Sequence, residues 1–219
     1  MTTENDRLPA ETLSPLAARV DEVLALYGYE MTPAIDAIDA AVAGYGGLFD
    51  PETTDGELRA ALDEVLAAGS PAPPESTAVD GELHIVLYVD GSSRGNPGPA
   101  GAGAVLQTEE RTLAKLGRPV GSRTDNNTAE YVALQLGLDA LTRRYEPSSV
   151  EIRIDSMTVI EDIWGLAEST ESVTPYGPAI TDHLATLPAE EWTHLADSDP
   201  NPADARATVG ADIAELGPG

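Results

Sequence analysis

The chain has 219 residues, 42% of them apolar, which is enough to build a core and excludes wholesale disorder. It has no cysteine, which excludes disulfides and thiolate metal sites, and no apolar run approaches the ~18 residues of a membrane span. Aspartate and glutamate number 38 against 12 basic residues, a formal net charge of −26 spread through every segment. An evenly acidic surface with a single lysine, Lys115, suits a halophilic setting, where multimolar salt screens repulsion within a few ångströms. Mimicry of nucleic acid, or binding of a basic partner, is the alternative and calls for charge gathered on one face. MTTENDRLPAETLS, at the start, has neither the basic opening nor the apolar stretch of a signal peptide. The expectation is a soluble, cytoplasmic protein with no membrane partner.

Residues 14–27 are predicted to form a helix, with Ser14 as cap, Pro15 in the first turn and Gly28 at the exit. Thr32 and Pro33 open a second, and Thr54 with Glu57 forms a capping box for a third. Residues 1–68 therefore read as a small all-α bundle, and 69–81 (GSPAPPESTAVDG) as a Pro/Ser-rich linker. From 82 to 219 the pattern changes. LHIVLYVD (83–90), GAGAVLQ (101–107) and RTLAKLGRPV (111–120) predict three strands in an antiparallel meander. A helix over 128–144, a strand at 150–155 and helices over 157–167 and 176–187 follow. A strand at 190–195 and a helix over 202–216 close the chain. The class is α/β: a mixed five-stranded sheet, three antiparallel strands and then β-α units, with flanking helices.

Three acids fall at the ends of elements: Asp90 after the first strand, Glu130 in the first turn of the long helix, Asp155 after the fourth strand. Strand ends that coincide bring terminal side chains together, and ligands favour that edge of an α/β sheet. Crowded carboxylates repel one another, and a divalent ion with oxygen ligands, Mg²⁺ or Mn²⁺, removes that cost. Each acid also has a structural explanation. Asp90-Gly91 fits a hairpin turn, Glu130 suits the helix dipole, and Asp155 could cap the next helix. Asp204 could be the third residue of a helix capped by Asn201 with Pro202 behind it.

YVDGSSRGNPGPAGAGAV (88–105), DNNTAEYVAL (125–134), IRIDS (152–156) and NPADARA (201–207) resemble, in order, the four motifs of type 1 ribonuclease H. The resemblance covers about 83–216 and implies the ribonuclease H-like fold. It also implies hydrolysis of the RNA strand of an RNA–DNA hybrid by two metal ions, leaving 3′-hydroxyl and 5′-phosphate ends. Asp90, Glu130, Asp155 and Asp204 become the metal-binding catalytic acids, with Asp90 bridging both ions and Glu130 also meeting the RNA 2′-hydroxyl. Gly91, Ser92, Arg94, Asn96, Asn126 and Asn127 become substrate-binding residues; one of the last two asparagines could also cap the helix.

His194 stands ten residues before Asp204, where bacterial members carry a histidine tied to product release; it also fits a plain strand residue. Asp199 competes with Asp204 as the fourth ligand, and Asp197 falls where archaeal-type relatives often have arginine. No Lys or Arg occurs from Ile154 to Ala205, so the basic protrusion of many bacterial members is missing and the segment is closer to archaeal-type enzymes. Arg123, Arg143, Arg144 and Arg153 are the candidates for positive charge along the substrate path. A related nuclease for double-stranded RNA or RNA processing, and a non-catalytic binding module, are the alternative functions. The catalytic domain is expected to be monomeric, and the N-terminal bundle to dock a protein or the catalytic domain.

Overall fold

The computed structural model describes residue 8, residues 10–44, 46–71, 83–165, 175–196 and 198–217. Positions 72–81 of the predicted linker, 166–167 of the predicted helix end, and Asp197 lie outside the described residues. Three helices open the chain: α1 (Pro15–Leu26), α2 (Met31–Ala41) and α3 (Asp55–Ala68). The Ser14 hydroxyl accepts from Ala17 N at 3.1 Å, Pro15 occupies the first turn, and Gly28 leaves the helix at φ +59°. At α3 both halves of the Thr54–Glu57 capping box form.

The sheet holds β1 (His84–Ser93), β2 (Gly98–Gln107), β3 (Thr112–Thr124), β4 (Ser149–Ile154) and β5 (Glu190–His194), in the order β3-β2-β1-β4-β5. Pairing is antiparallel from β1 to β3 and parallel from β1 through β4 to β5. The mixed five-stranded sheet expected from the sequence is therefore present. α4 (Asn126–Arg144) and α7 (Asp204–Ala214) cover opposite faces, while α5 (Met157–Ile163) and α6 (Gly177–Leu184) pack beside α4. Alternation along β2 explains the two layers. A Cβ on Gly103 would strike the backbone of Ala203 and Ala207, whereas Ala104 Cβ faces Gly137 of α4. Glycines at 101, 103 and 210 let α7 lie almost directly on the strands.

Element ends correct the sequence reading. β1 runs three residues past Asp90, so Asp90-Gly91 is not a hairpin turn; the turn falls at Arg94–Pro97. β2 starts at Gly98 and β3 reaches Thr124, because the two antiparallel ladders extend through the glycine-rich stretches. The long helix begins at Asn126, and α7 spans only Asp204–Ala214.

Buried residues of the N-terminal helices belong to one continuous apolar cluster with the sheet. Residues 11 and 12 run along the outer edge of β3, with Glu11 N donating to Val120 O and Ser122 N to Thr12 O, both at 2.9 Å. Further along that edge Gly117 N donates to Tyr29 O at 3.0 Å. An open sheet edge invites pairing with other chains, and this one is covered from within. Beneath the cover lies a fully buried ion pair. Arg118 Nε and Nη2 donate to the Asp21 carboxylate at 3.2 and 3.0 Å, and the guanidinium lies 4.9 Å from the Tyr29 ring centre.

Candidate active site

Asp90 and Asp155 meet because two parallel strands end together on one side. The β1–β4 register runs to Tyr88↔Arg153, and two further residues bring Asp90 level with Asp155. β1 continues past that point only on its β2 side, so Asp90 loses its β4 neighbour where β4 stops. Glu130 arrives from the first turn of α4. A Cβ on Gly91 would sit 2.5 Å from Glu130 N, so the glycine after Asp90 is what admits the helix. Gly91 thus has a packing reason that the sequence reading, which gave it to substrate, did not foresee.

Carboxylate oxygens of Asp90, Glu130 and Asp155 all lie within 4.8 Å of one another. Asp90 and Glu130 are buried, at 7% and 3% exposure, while Asp155 is exposed. Burial, then the charges of Asp155 and Asp204, push the Asp90 carboxyl up to about 7. Glu130 is raised to about 9 by burial and by Asp155 and Asp90, against the Gly91 backbone N–H and the Asn126 side chain. Glu130 Oε1 accepts from Asn126 Nδ2 at 3.4 Å, while Oε2 is buried with no hydrogen-bond partner among the described residues. Oxygen-only donors, mutual repulsion and an orphaned buried carboxylate oxygen fit a hard divalent cation.

Two hollows open on the cluster. One is lined by Asp90, Asp155, Leu195, Asp199, Asn201 and Asp204, so both candidates for the fourth acid face it. Asp199 is engaged locally, accepting from Ala196 N at 3.0 Å, whereas Asp204 is exposed at the first position of α7. The second hollow brings Asn96, Asn126 and Asn127 to Glu130 and Asp155. Ser156, Met157 and Thr158 also line it, and Met157 is 43% exposed. The sequence reading missed these three. The available signal was that a helix starting straight after Asp155 must turn its first residues toward the acids.

The capping expectations are corrected. Neither Asn126 nor Asn127 caps α4: both already lie within the helix, and Asp125, the last extended residue before it (φ −79°, ψ 160°), accepts from Thr128 N at 2.7 Å. Ser156, not Asp155, caps α5, which leaves the Asp155 carboxylate to the cluster. Asn201 does not cap α7, whose cap position is Ala203 with no side-chain bond; it reaches back to β1 instead.

The remaining candidates divide. His194 is exposed, with Nε2 3.0 Å from the Asp155 carbonyl oxygen, an arrangement in which Nε2 carries the proton. Arg94 pairs with Asp212 of α7 and with Glu215 just past its end, and neither it nor Ser92 lines the hollows. Three of the arginines expected along the substrate path are committed elsewhere: Arg143 to Asp139 at 3.0 Å, Arg144 to Glu30 at 2.8 Å and Arg153 to Glu151 at 2.8 Å. Arg123 is exposed and makes no ion pair among the described residues. Among those residues no helix is long and apolar enough to cross a membrane.

Residues 82–183 match the family model for RNase H. Over 85 residues the chain is 40% identical to the bifunctional protein Rv2228c of Mycobacterium tuberculosis, which covers 38% of this chain and 23% of that protein. This chain therefore spans less than a quarter of that relative. It is 32% identical over 152 residues to ribonuclease HI of the archaeon Halobacterium salinarum, covering 63% of this chain and 74% of the relative. The crystal structure of RNase H1 from that halophilic organism superposes with a TM-score of 0.54 at 30% identity, over 59% of this chain and 98% of its own. LC11-RNase H1, solved in complex with an RNA/DNA hybrid, gives 0.52 at 30% identity over 58% of this chain and 96% of its own. With its four acid-bearing segments in order on this sheet, the chain belongs to the ribonuclease H family, among the type 1 members.

Proposed function

We propose that the chain hydrolyses the RNA strand of RNA–DNA hybrids, as a metal-dependent endonuclease that leaves 5′-phosphate and 3′-hydroxyl ends. The observation that carries this reading is the convergence of Asp90, Glu130 and Asp155 within 4.8 Å beside a groove lined by three asparagines. Two Mg²⁺ or Mn²⁺ ions, when bound, supply Lewis acidity that acidifies water and stabilises charge on the departing 3′-oxygen. Asp90, Asp155 and Asp204 would hold the ions, with Asp90 shared between them. Glu130 would complete one set of ligands and meet the 2′-hydroxyl of the RNA. Asn96, Asn126 and Asn127 offer amide donors and acceptors for the 2′-hydroxyl, which is what separates RNA from DNA at a given position. The backbone of Gly91 and Ser92 passes close to the cluster, and Arg94 steadies the hairpin that carries Asn96. Arg123 supplies charge at the rim, and His194 serves proton transfer or product release beside Asp155.

The same reading makes the protein a monomeric, cytoplasmic enzyme of a salt-adapted cell, with residues 1–68 acting as a stabilising cap on β3. A panel of RNA–DNA hybrid, double-stranded RNA, single-stranded RNA and DNA, run with Mg²⁺, Mn²⁺ or EDTA across salt, tests it. Cleavage confined to the RNA of the hybrid and silenced by EDTA is the expected result. Equal cleavage of double-stranded RNA transfers the assignment to an RNA-processing nuclease, and no cleavage of any substrate defeats it.

A further inference from the structure

Asp204 stands apart from the other acids. Asp90, Glu130 and Asp155 are held by strands and helix in one tight group, and Asp204 comes from the layer on the opposite face of the sheet, at the first position of α7. Something has to set its separation from Asp90. Asn201 spans that gap. Its Nδ2 donates to Val89 O at 2.9 Å and lies 3.4 Å from Asp90 Oδ1, while its Oδ1 accepts from Ala203 N at 3.1 Å. Its own carbonyl accepts from Asp204 N at 3.2 Å. One residue therefore ties the β1 backbone, the Asp90 carboxylate and the turn that ends in Asp204.

The surroundings make the tie stiff. Asn201 sits between Pro200 and Pro202, so the first loses a backbone donor and the second restricts Asn201 toward extended conformations. On the far side, Ala203 is fully buried against Tyr88, Val105 and Leu195. The Ala203 carbonyl lies 2.3 Å from where a Cβ on Gly103 would be, so the start of α7 is seated directly against the β2 backbone.

We propose that Asn201 is a positioning residue that fixes the Asp90–Asp204 separation and thereby one of the metal-holding edges of the site. The inference rests on the nuclease reading for its kinetic consequence, and on the hydrogen bonds alone for its effect on cation affinity. Partners behind metal ligands typically govern affinity or rate by roughly 10- to 100-fold.

The test uses the full chain and the Asn201→Ala variant, with Mn²⁺ affinity read by calorimetry and hybrid cleavage by single-turnover and steady-state kinetics. Asn201→Ala is expected to weaken Mn²⁺ at least ~10-fold and to lower kcat about 10- to 100-fold, with hybrid KM within ~3-fold. In an Asp204→Asn background the additional loss is expected to shrink below ~3-fold, because the clasp then holds nothing that matters. Unchanged Mn²⁺ affinity and kcat overturn the proposal. So does an equal loss in both backgrounds, which marks a general packing defect. If Asn201→Ala does not fold, Asn201→Ser decides on the same readouts, since its hydroxyl can still accept from Ala203 N while the shorter, uncharged side chain removes the donor toward β1. If the parent chain cleaves no hybrid, the nuclease reading fails while the Mn²⁺ comparison still judges Asn201.

Discussion

Replacing Asp21 by asparagine is the sharpest probe of what the N-terminal helices contribute. Arg118 and Asp21 are both wholly buried, and the guanidinium makes two bonds to the carboxylate at 3.2 and 3.0 Å. Its Nη2 also donates to Leu8 O at 3.2 Å, so the pair locks α1 and the leading segment to β3. Asparagine keeps the shape and removes the carboxylate charge that the buried guanidinium faces through two of its bonds. Removing one partner of such a pair costs about 3–5 kcal/mol. At roughly 2–4 °C per kcal/mol for a chain of this size, the thermal midpoint should fall by about 6–20 °C. Substituting both partners with apolar residues, Asp21→Leu with Arg118→Met, should recover most of that loss, because the desolvation cost disappears with the charges. Thermal unfolding in 0.2 M and 3 M salt (roughly 7 and 2 Å screening lengths) gives the magnitude, and the penalty should persist at both because a buried pair is poorly screened. Hydrogen exchange should locate it, with the Glu11 and Ser122 amides on the β3 edge losing protection first. A penalty below ~1 kcal/mol, or a double variant no more stable than the single one, would refute the view that this pair anchors the cap.

Asp90→Asn should abolish hybrid cleavage while leaving the thermal midpoint of the EDTA-treated chain the same or higher; retained cleavage would reject the metal-site assignment. Glu130→Gln should stabilise the EDTA-treated chain at pH 8 and have little effect at pH 4. Its carboxyl titrates near 9 in the fold and near the ordinary carboxylate value when unfolded, so the parent loses stability as pH rises between those limits. Thermal melts across pH check this, and a stability difference that is flat with pH would overturn it. Hybrid affinity should depend only weakly on salt, since Arg123 is the one substrate-path arginine without an ion pair among the described residues, and Arg123→Ala should flatten the dependence further. A steep loss of affinity with salt would point to a basic surface that the charge distribution lacks. Finally, at a net charge of −26 the chain should lose structure in dilute buffer and regain it in molar salt; full stability without salt would remove the halophilic interpretation.

Periodicity made most elements legible. The capping box at Thr54, the apolar run before Asp90 and the short strand before Asp155 each carry a local signal that no tertiary contact overrides. Strand ends were less legible. β1 reads as finished at Asp90 because Gly-Ser-Ser-Arg-Gly has the composition of a turn, yet pairing with β2 holds it extended to Ser93↔Ala100. Caps were misread for a related reason: Asp125, Asn126, Asn127 and Ser156 are all capable, and only backbone geometry chooses among neighbours.

The sequence by itself determined the fold class, the order of the elements and the identity of the clustered acids, since these depend on residue type and local spacing. Tertiary structure alone decided which charges are available and which are spent. Arg94 and Arg144 look like any other arginine along the chain, but each is neutralised by an acid more than a hundred residues away, Asp212 and Glu30, that folding brings alongside. Asn201 reads as a helix cap and turns out to bridge β1 and α7, and Asp21 is indistinguishable from a surface acid until β3 closes over it. The reason is the same in each case: burial and pairing are set by residues far apart in the chain, and local sequence carries no record of those neighbours.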